Sequence, residues 1–183
     1  MWTLPDPDPR SLPTTALLWD LDNVACPREH LPSLAAALTT LVEPGAPRIA
    51  AAHRRAFRAS RDLLSDLGVE VWSGGRRRNG ADRVLLAQAN RLRDAGVERF
   101  VVASNDHRFA RIAEFSDLHV VTLTDDYLSL RLRAAARHVT VLTYDGEEWL
   151  GRGHRVHPFL SVGLPTVSEI TRSGRRGPGD TAG

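Results

Sequence analysis

The chain is 183 residues long, 42% apolar and 25% charged, which suits one ordinary domain with a core of its own and leaves little room for two. Cys26 is the single cysteine, so an intramolecular disulfide and a multi-cysteine zinc site are both excluded, and no apolar run approaches the roughly 20 residues of a membrane-spanning helix. All 24 basic residues are arginine against 22 acids, and the pI near 9.3 reflects arginine staying protonated while little else titrates between neutrality and pH 9, so by itself it is no argument for a nucleic-acid partner.

Residues 1–14, acidic and proline-rich, read as a flexible leader and not as a signal peptide, which sets the expectation of a cytoplasmic protein. From residue 15 to about 145, short apolar runs alternate with helical patterns. Strands are expected at Ala16–Trp19, Arg48–Ala52, Val69–Trp72, Phe100–Ala103, His119–Leu123 and Val139–Thr143. Helices are expected over about Leu31–Leu41, Arg54–Leu67, Asp82–Ala95, His107–Glu114 and Tyr127–Ala136. Gly68 and Gly96 stand where a helix should stop before a strand. Residues 146–170 read as an extension packed back on the domain through Trp149, and residues 171–183 as a disordered tail.

The strand segments are apolar throughout instead of alternating, as befits strands buried on both faces. The βαβ alternation then implies an α/β three-layer sandwich of Rossmannoid form. Its centre is a mainly parallel sheet of five or six strands, with helices on both faces. In such a sheet chemistry gathers beyond the carboxyl ends of the strands. The residues just past each strand are therefore the informative ones. Asp20-Leu21-Asp22-Asn23 comes after the first strand, and a Gly- and Arg-rich loop leading to Asp82 comes after the third. Ser104-Asn105-Asp106 succeeds the fourth, and Asp125-Asp126 lies past the fifth.

Carboxylates crowded in one crevice repel, and a hard divalent cation relieves the conflict. Mg²⁺ is the natural occupant, and a metal-polarised water is a phosphoryl-directed nucleophile. Asp20, Asp82 and Asp106 are the set suited to that task. Asp82 and Asp106 also stand at helix starts, where aspartate is favoured for capping alone.

Three segments carry a family resemblance. Leu17-Leu18-Trp19-Asp20-Leu21-Asp22-Asn23-Val24, with Cys26-Pro27, resembles the opening motif of NYN domains of the limkain type. Asn79-Gly80-Ala81-Asp82 resembles the second motif, and Val101-Val102-Ala103-Ser104-Asn105-Asp106-His107-Arg108-Phe109 the third. The resemblance covers about residues 15–143 and implies a PIN-like, metal-dependent ribonuclease. It implies Mg²⁺ or Mn²⁺ held by Asp20, Asp82 and Asp106. Asn23 would order the loop or the substrate phosphate, Ser104 would bond near Asp106, and Asp22 fills a place usually acidic. The departure is Arg108, where many relatives carry a second aspartate. Asp125 or Asp126 is the candidate replacement carboxylate, with Asn105 among the supporting residues.

Arginine is concentrated in the middle of the chain. Residues 48–99 hold 12 Arg against 6 acids, whereas residues 1–47 hold 2 against 6. A solvated helix face would account for such a block. With an RNA partner, Arg54 and Arg55 after the second strand, Arg76, Arg77 and Arg78 in the loop, and Arg83 and Arg108 become phosphate contacts. Gly74, Gly75 and Gly80 would make that loop mobile. Trp19, Trp72 and Phe109 are expected in the core, and Cys26 as a small buried thiol. His154-Arg155-Val156-His157 reads as surface histidine.

The functional expectation is an endoribonuclease, with RNA of unspecified sequence as partner, no membrane, and a homodimer compatible with the pattern. Two other readings stay open. One is an NYN-like RNA- or protein-binding module that does not cut, which Arg108 favours. The other is a haloacid-dehalogenase-type phosphatase with Asp20 as nucleophile and Asp22 as acid/base, because Asp20-Leu21-Asp22-Asn23-Val24 also resembles that family's first motif. Its second motif is poorly matched by Ala50-Ala51-Ala52-His53.

Overall fold

A computed structural model describes residues 13–155. Most of the expected leader, residues 1–12, and the chain after Arg155, which includes Val156, His157 and the expected tail, lie outside the described residues. Seven strands form one sheet: β1 (Thr15–Asp20), β2 (Arg48–Ala52), β3 (Glu70–Ser73), β4 (Arg99–Ala103), β5 (Asp117–Leu123), β6 (His138–Tyr144) and β7 (Trp149–Arg155). Four α-helices are α1 (Leu31–Thr39), α2 (Arg54–Asp66), α3 (Gly80–Asp94) and α4 (Leu130–Ala135). The expected fourth helix is instead a 3₁₀ stretch, His107–Glu114.

The sheet order is β3-β2-β1-β4-β5-β6-β7. Strands β1 to β6 run parallel, and β7 pairs antiparallel with β6, Val141 opposite Arg152. The expected α/β sandwich is therefore correct, but among the described residues its sheet has seven strands where five or six are expected. The extra strand is the first part of the expected extension. Its Gly151 and Gly153 sit against Leu142 and Thr140 of β6.

Two apolar layers flank the sheet. Leu17, Trp19, Ala50, Val101 and Val121 face α1 and α2, packing with Leu34, Leu38 and Leu64. Leu18, Ala51, Phe100, Val102 and Val120 face α3, the 3₁₀ stretch and α4, packing with Leu85, Phe109, Ile112 and Leu132. Each fully buried Leu or Phe contributes about 1.5–3 kcal/mol. β1 is buried from end to end, as a central strand between two helical layers must be. β3 departs from the expectation of apolar strands buried on both faces. It is an edge strand, and Trp72, expected in the core, is 37% exposed, whereas Trp19 and Phe109 are fully buried.

The chain leaves β1 in one direction along the sheet and returns to start the other half at β4. This places a topological switch point between β1 and β4, where a crevice opens at the carboxyl ends. Among the described residues no helix is long and apolar enough to cross a membrane.

Candidate functional site at the switch point

Asp20 is the last residue of β1 and has no solvent exposure. The turn after it is fixed by Trp19, whose Nε1 donates to the Val24 carbonyl at 2.8 Å. Asn23 then folds back, its Nδ2 donating to Asp20 Oδ2 at 2.5 Å. Ser104, the first residue past β4 and itself buried, donates from Oγ to the same oxygen at 3.0 Å. The Asp22 amide donates to Asp20 Oδ1 at 3.2 Å. Burial pushes the Asp20 carboxyl up to about 6, with the Asp82 charge adding to the rise and the Asn23 and Ser104 bonds opposing it.

Asp82 arrives from the opposite layer. Ala81 and Ala51 are small and buried in one cluster, so the amino end of α3 comes down close to β2 and brings Asp82 to the crevice. Its charge is near enough to raise Asp20, and its own carboxyl is held above the usual carboxylate range by burial and by the Asp106 charge, against the pull of Arg108. Asp106 caps the 3₁₀ stretch, its Oδ1 accepting from the Arg108 amide at 2.8 Å, so the capping reading of this residue is correct. Its other oxygen accepts from Arg108 Nη1 at 2.7 Å, and the same nitrogen donates to Asp82 Oδ2 at 3.1 Å. The Asp106 amide in turn donates to Ser104 Oγ at 3.2 Å.

Asp20, Asp82 and Asp106 are thus one connected cluster, drawn from β1, α3 and the segment after β4. The donor set is all oxygen, which is the chemistry of Mg²⁺ or Mn²⁺. Among the described residues no three His, Cys, Asp or Glu side chains stand ready as a metal site. The Arg108 guanidinium already lies between two of the three carboxylates. A divalent ion at this cluster would have to take the place of Arg108 between Asp82 and Asp106.

The supporting residues divide. Asn105 donates from Nδ2 to Asp126 Oδ2 at 3.0 Å and accepts from Thr122 Oγ1 at 2.5 Å, so Asp126 joins the rim through Asn105. Asp125 is exposed, with no side-chain hydrogen bond or ion pair among the described residues. Asp22 turns away from the cluster: its Oδ2 accepts from the His53 amide at 2.9 Å and its Oδ1 lies 2.6 Å from His53 Nδ1.

The arginines divide too. Arg54, Arg55 and Arg76 line a cleft of about 600 Å³ together with His53, Gly75 and Arg58. Arg77, Arg78 and Arg83 are exposed and do not line it. Two of the glycines expected to make the loop mobile have a further, steric use. A Cβ on Gly80 would lie 1.9 Å from the Gly74 carbonyl oxygen, and one on Gly74 would lie 2.3 Å from the Ala81 nitrogen. These two glycines allow backbone to touch backbone and close the base of the loop. Sequence reasoning missed His53, Arg58 and Thr122 as site residues. His53 was findable, since it directly follows a strand at the edge where the other candidates lie.

Fold and site together define a Rossmannoid α/β domain with a buried acidic cluster at its switch point. No family model matches the chain, and no curated protein matches it. Among solved structures it is similar to the crystal structure of a protein of unknown function from Vibrio parahaemolyticus RIMD 2210633. The two are 21% identical with a TM-score of 0.54, over 75% of this chain and 96% of that one. At that identity the likeness carries the fold alone.

Proposed function

We propose that the protein is a metal-dependent endoribonuclease of the NYN, PIN-like type, acting in the cytoplasm on RNA phosphodiester bonds. The observation that carries this reading is the convergence of Asp20, Asp82 and Asp106, from three elements distant in sequence, on the crevice at the switch point. A divalent ion held there would polarise a phosphoryl oxygen and make water a better nucleophile. The chain's own residues do the rest. Asn23 and Ser104 fix the rotamer of Asp20 by bonding one oxygen, and Ser104 links that bond to the backbone that places Asp106. Arg108 neutralises Asp82 and Asp106 before substrate arrives, and once displaced its guanidinium suits the scissile phosphate.

A second reading, an NYN-like RNA- or protein-binding module that does not cut, is favoured by the same Arg108, which already compensates two of the carboxylates. The phosphatase reading has less support. Asp20 is fully buried, with both oxygens already accepting hydrogen bonds, and Asp22 is committed to His53.

The test is purified protein with mixed RNA in Mn²⁺, in EDTA, and as Asp20→Asn, with thermal melting to verify folding of the variant. Cleavage in Mn²⁺ alone, lost in EDTA and in Asp20→Asn, is the expected result. Cleavage that survives either change belongs to a contaminant. RNA retained without cleavage in Mn²⁺ and Mg²⁺ establishes the binding module instead.

A further inference from the structure

Beside the acidic cluster, at the carboxyl edge of β2 and β3, lies the cleft of about 600 Å³ lined by His53, Arg54, Arg55, Arg58, Gly75 and Arg76. A volume of this size accommodates a ligand as large as a nucleotide. Among the described residues five arginines are matched with acids, Arg61 with Asp62, Arg93 with Asp94, Arg99 and Arg137 with Asp117, and Arg108 with Asp82 and Asp106; others, such as Arg77, Arg78 and Arg83, are unmatched but do not line this cleft. Among the described residues none of Arg54, Arg55, Arg58 and Arg76 pairs with a carboxylate. Four unmatched guanidinium groups around one concavity repel each other, and each presents a planar fork of donors that fits phosphate oxygens.

The amino end of α2 is not itself the attraction. The His53 amide is taken by Asp22 and the Arg54 amide by the Gly75 carbonyl at 2.8 Å. The side chains carry the charge, and that Gly75 bond holds the Arg76 loop against α2. His53 adds a fixed contact. Its Nδ1 is engaged by Asp22, which leaves Nε2 as the ring nitrogen for a cleft ligand. Asp22 is also the link to the acidic cluster, since its amide donates to Asp20. One short turn therefore holds a buried carboxylate on one side and orients a cleft histidine on the other.

We propose that this cleft is a phosphate-binding subsite that holds single-stranded RNA beside the carboxylate cluster, with His53, positioned by Asp22, and the four arginines as its contacts. The proposal rests on the nuclease reading for its place next to the scissile bond. Binding at the cleft does not require cleavage. The phosphate held is either a terminal monoester or an internal diester, and these share the same recognition chemistry.

The experiment is fluorescence anisotropy in EDTA over a salt series, with a labelled oligouridylate carrying either a 5′-phosphate or a 5′-hydroxyl. The proteins are the wild type, Arg55→Gln/Arg58→Gln, Arg54→Gln/Arg76→Gln and His53→Gln, each checked by circular dichroism. Each double variant is expected to bind about tenfold more weakly and to lower the salt slope by about 1.4, the loss of two charge contacts to a single strand. His53→Gln weakens binding with a smaller change in slope. Equal losses for both oligonucleotides assign an internal phosphate, and losses confined to the 5′-phosphorylated one assign a terminal phosphate. Unchanged affinity and slope in both double variants overturns the proposal, and if the wild type still cleaves, the nuclease reading stands without it. Binding that depends on the arginines in a protein that never cleaves sinks the nuclease reading and keeps the subsite.

Discussion

At Arg108 a single guanidinium nitrogen donates to carboxylates from two elements, so removing it both frees and destabilises the cluster. Arg108→Ala leaves Asp82 and Asp106 facing each other uncompensated. The variant is expected to melt below the wild type in EDTA and to gain more than the wild type from millimolar Mn²⁺, because the ion then enters without displacing a resident cation. Equal Mn²⁺ responses in melting and in calorimetric titration would remove Arg108 from any role in metal access. A second residue-scale effect lies far from the site. His119 on β5 is pushed down to about 4, chiefly by burial, then by His138 and Arg99, with Asp117 acting the other way, while its Nε2 meets Thr140 Oγ1 at 2.8 Å. A histidine held neutral in the fold favours folding above its unfolded value near 6.5, and that contribution is lost as pH falls from there toward 4. It amounts to up to about 3 kcal/mol. Buried Asp20 and Asp82, held above the usual range, act with the opposite sign over the same pH span, so the test is the difference: from pH 7.5 to pH 4.5 in urea unfolding, the wild type should fare worse than His119→Gln, and a parallel pH dependence of the two would refute it.

The loop between β3 and α3 is an element whose shape is set at two glycines. Gly80→Ala drives a Cβ into the Gly74 carbonyl, so it is expected to cost on the order of 2 kcal/mol or more. Gly75→Ala meets nothing within 4 Å but sits at φ 76°, which costs roughly 1–2 kcal/mol. Urea midpoints that rank these two in the opposite order would show that the loop base is not held by the Gly74–Gly80 approach. The same segment marks how far the sequence could be read. Strands β1, β2 and β4 are legible because burial on both faces demands unbroken apolar runs, and Asp20, Asp82 and Asp106 are legible because each follows such a run or opens the next helix. β7 is not. Trp149–Arg155 is mostly exposed and carries Gly151, Arg152 and Gly153, so beyond Trp149, which packs on the core as expected and donates to Ser33 Oγ, it holds its place by hydrogen bonding to β6 and not by a hydrophobic pattern. Trp72 misled for the converse reason, an apolar residue on a strand that turns out to be an edge. The Asp22–His53 pair spans 31 positions, and nothing local in either segment announces the other.

At the scale of the molecule, the arginine-rich middle of the sequence becomes a place. Residues 48–99 build β2, α2, β3 and α3, the two strands at one edge of the sheet and the cleft edge beside the crevice. The acids of β1 and its turn lie at the boundary of that part. This division is what the fold adds to a net charge of only +2: if the proposed RNA partner binds, it would approach from that side, where counterion release would supply most of its affinity.

The bond from Ser104 to Asp20 closes over 84 positions, and it has a consequence for biosynthesis. A ribosome-bound chain that has emerged only through β3 has Asp20 without Ser104, Asp106 or Arg108, and no switch point at all. The acidic centre comes into being only when β4 slots in beside β1. A product that ends before β4 consequently lacks the centre, whose residues are all present only once the chain has been made through Arg108.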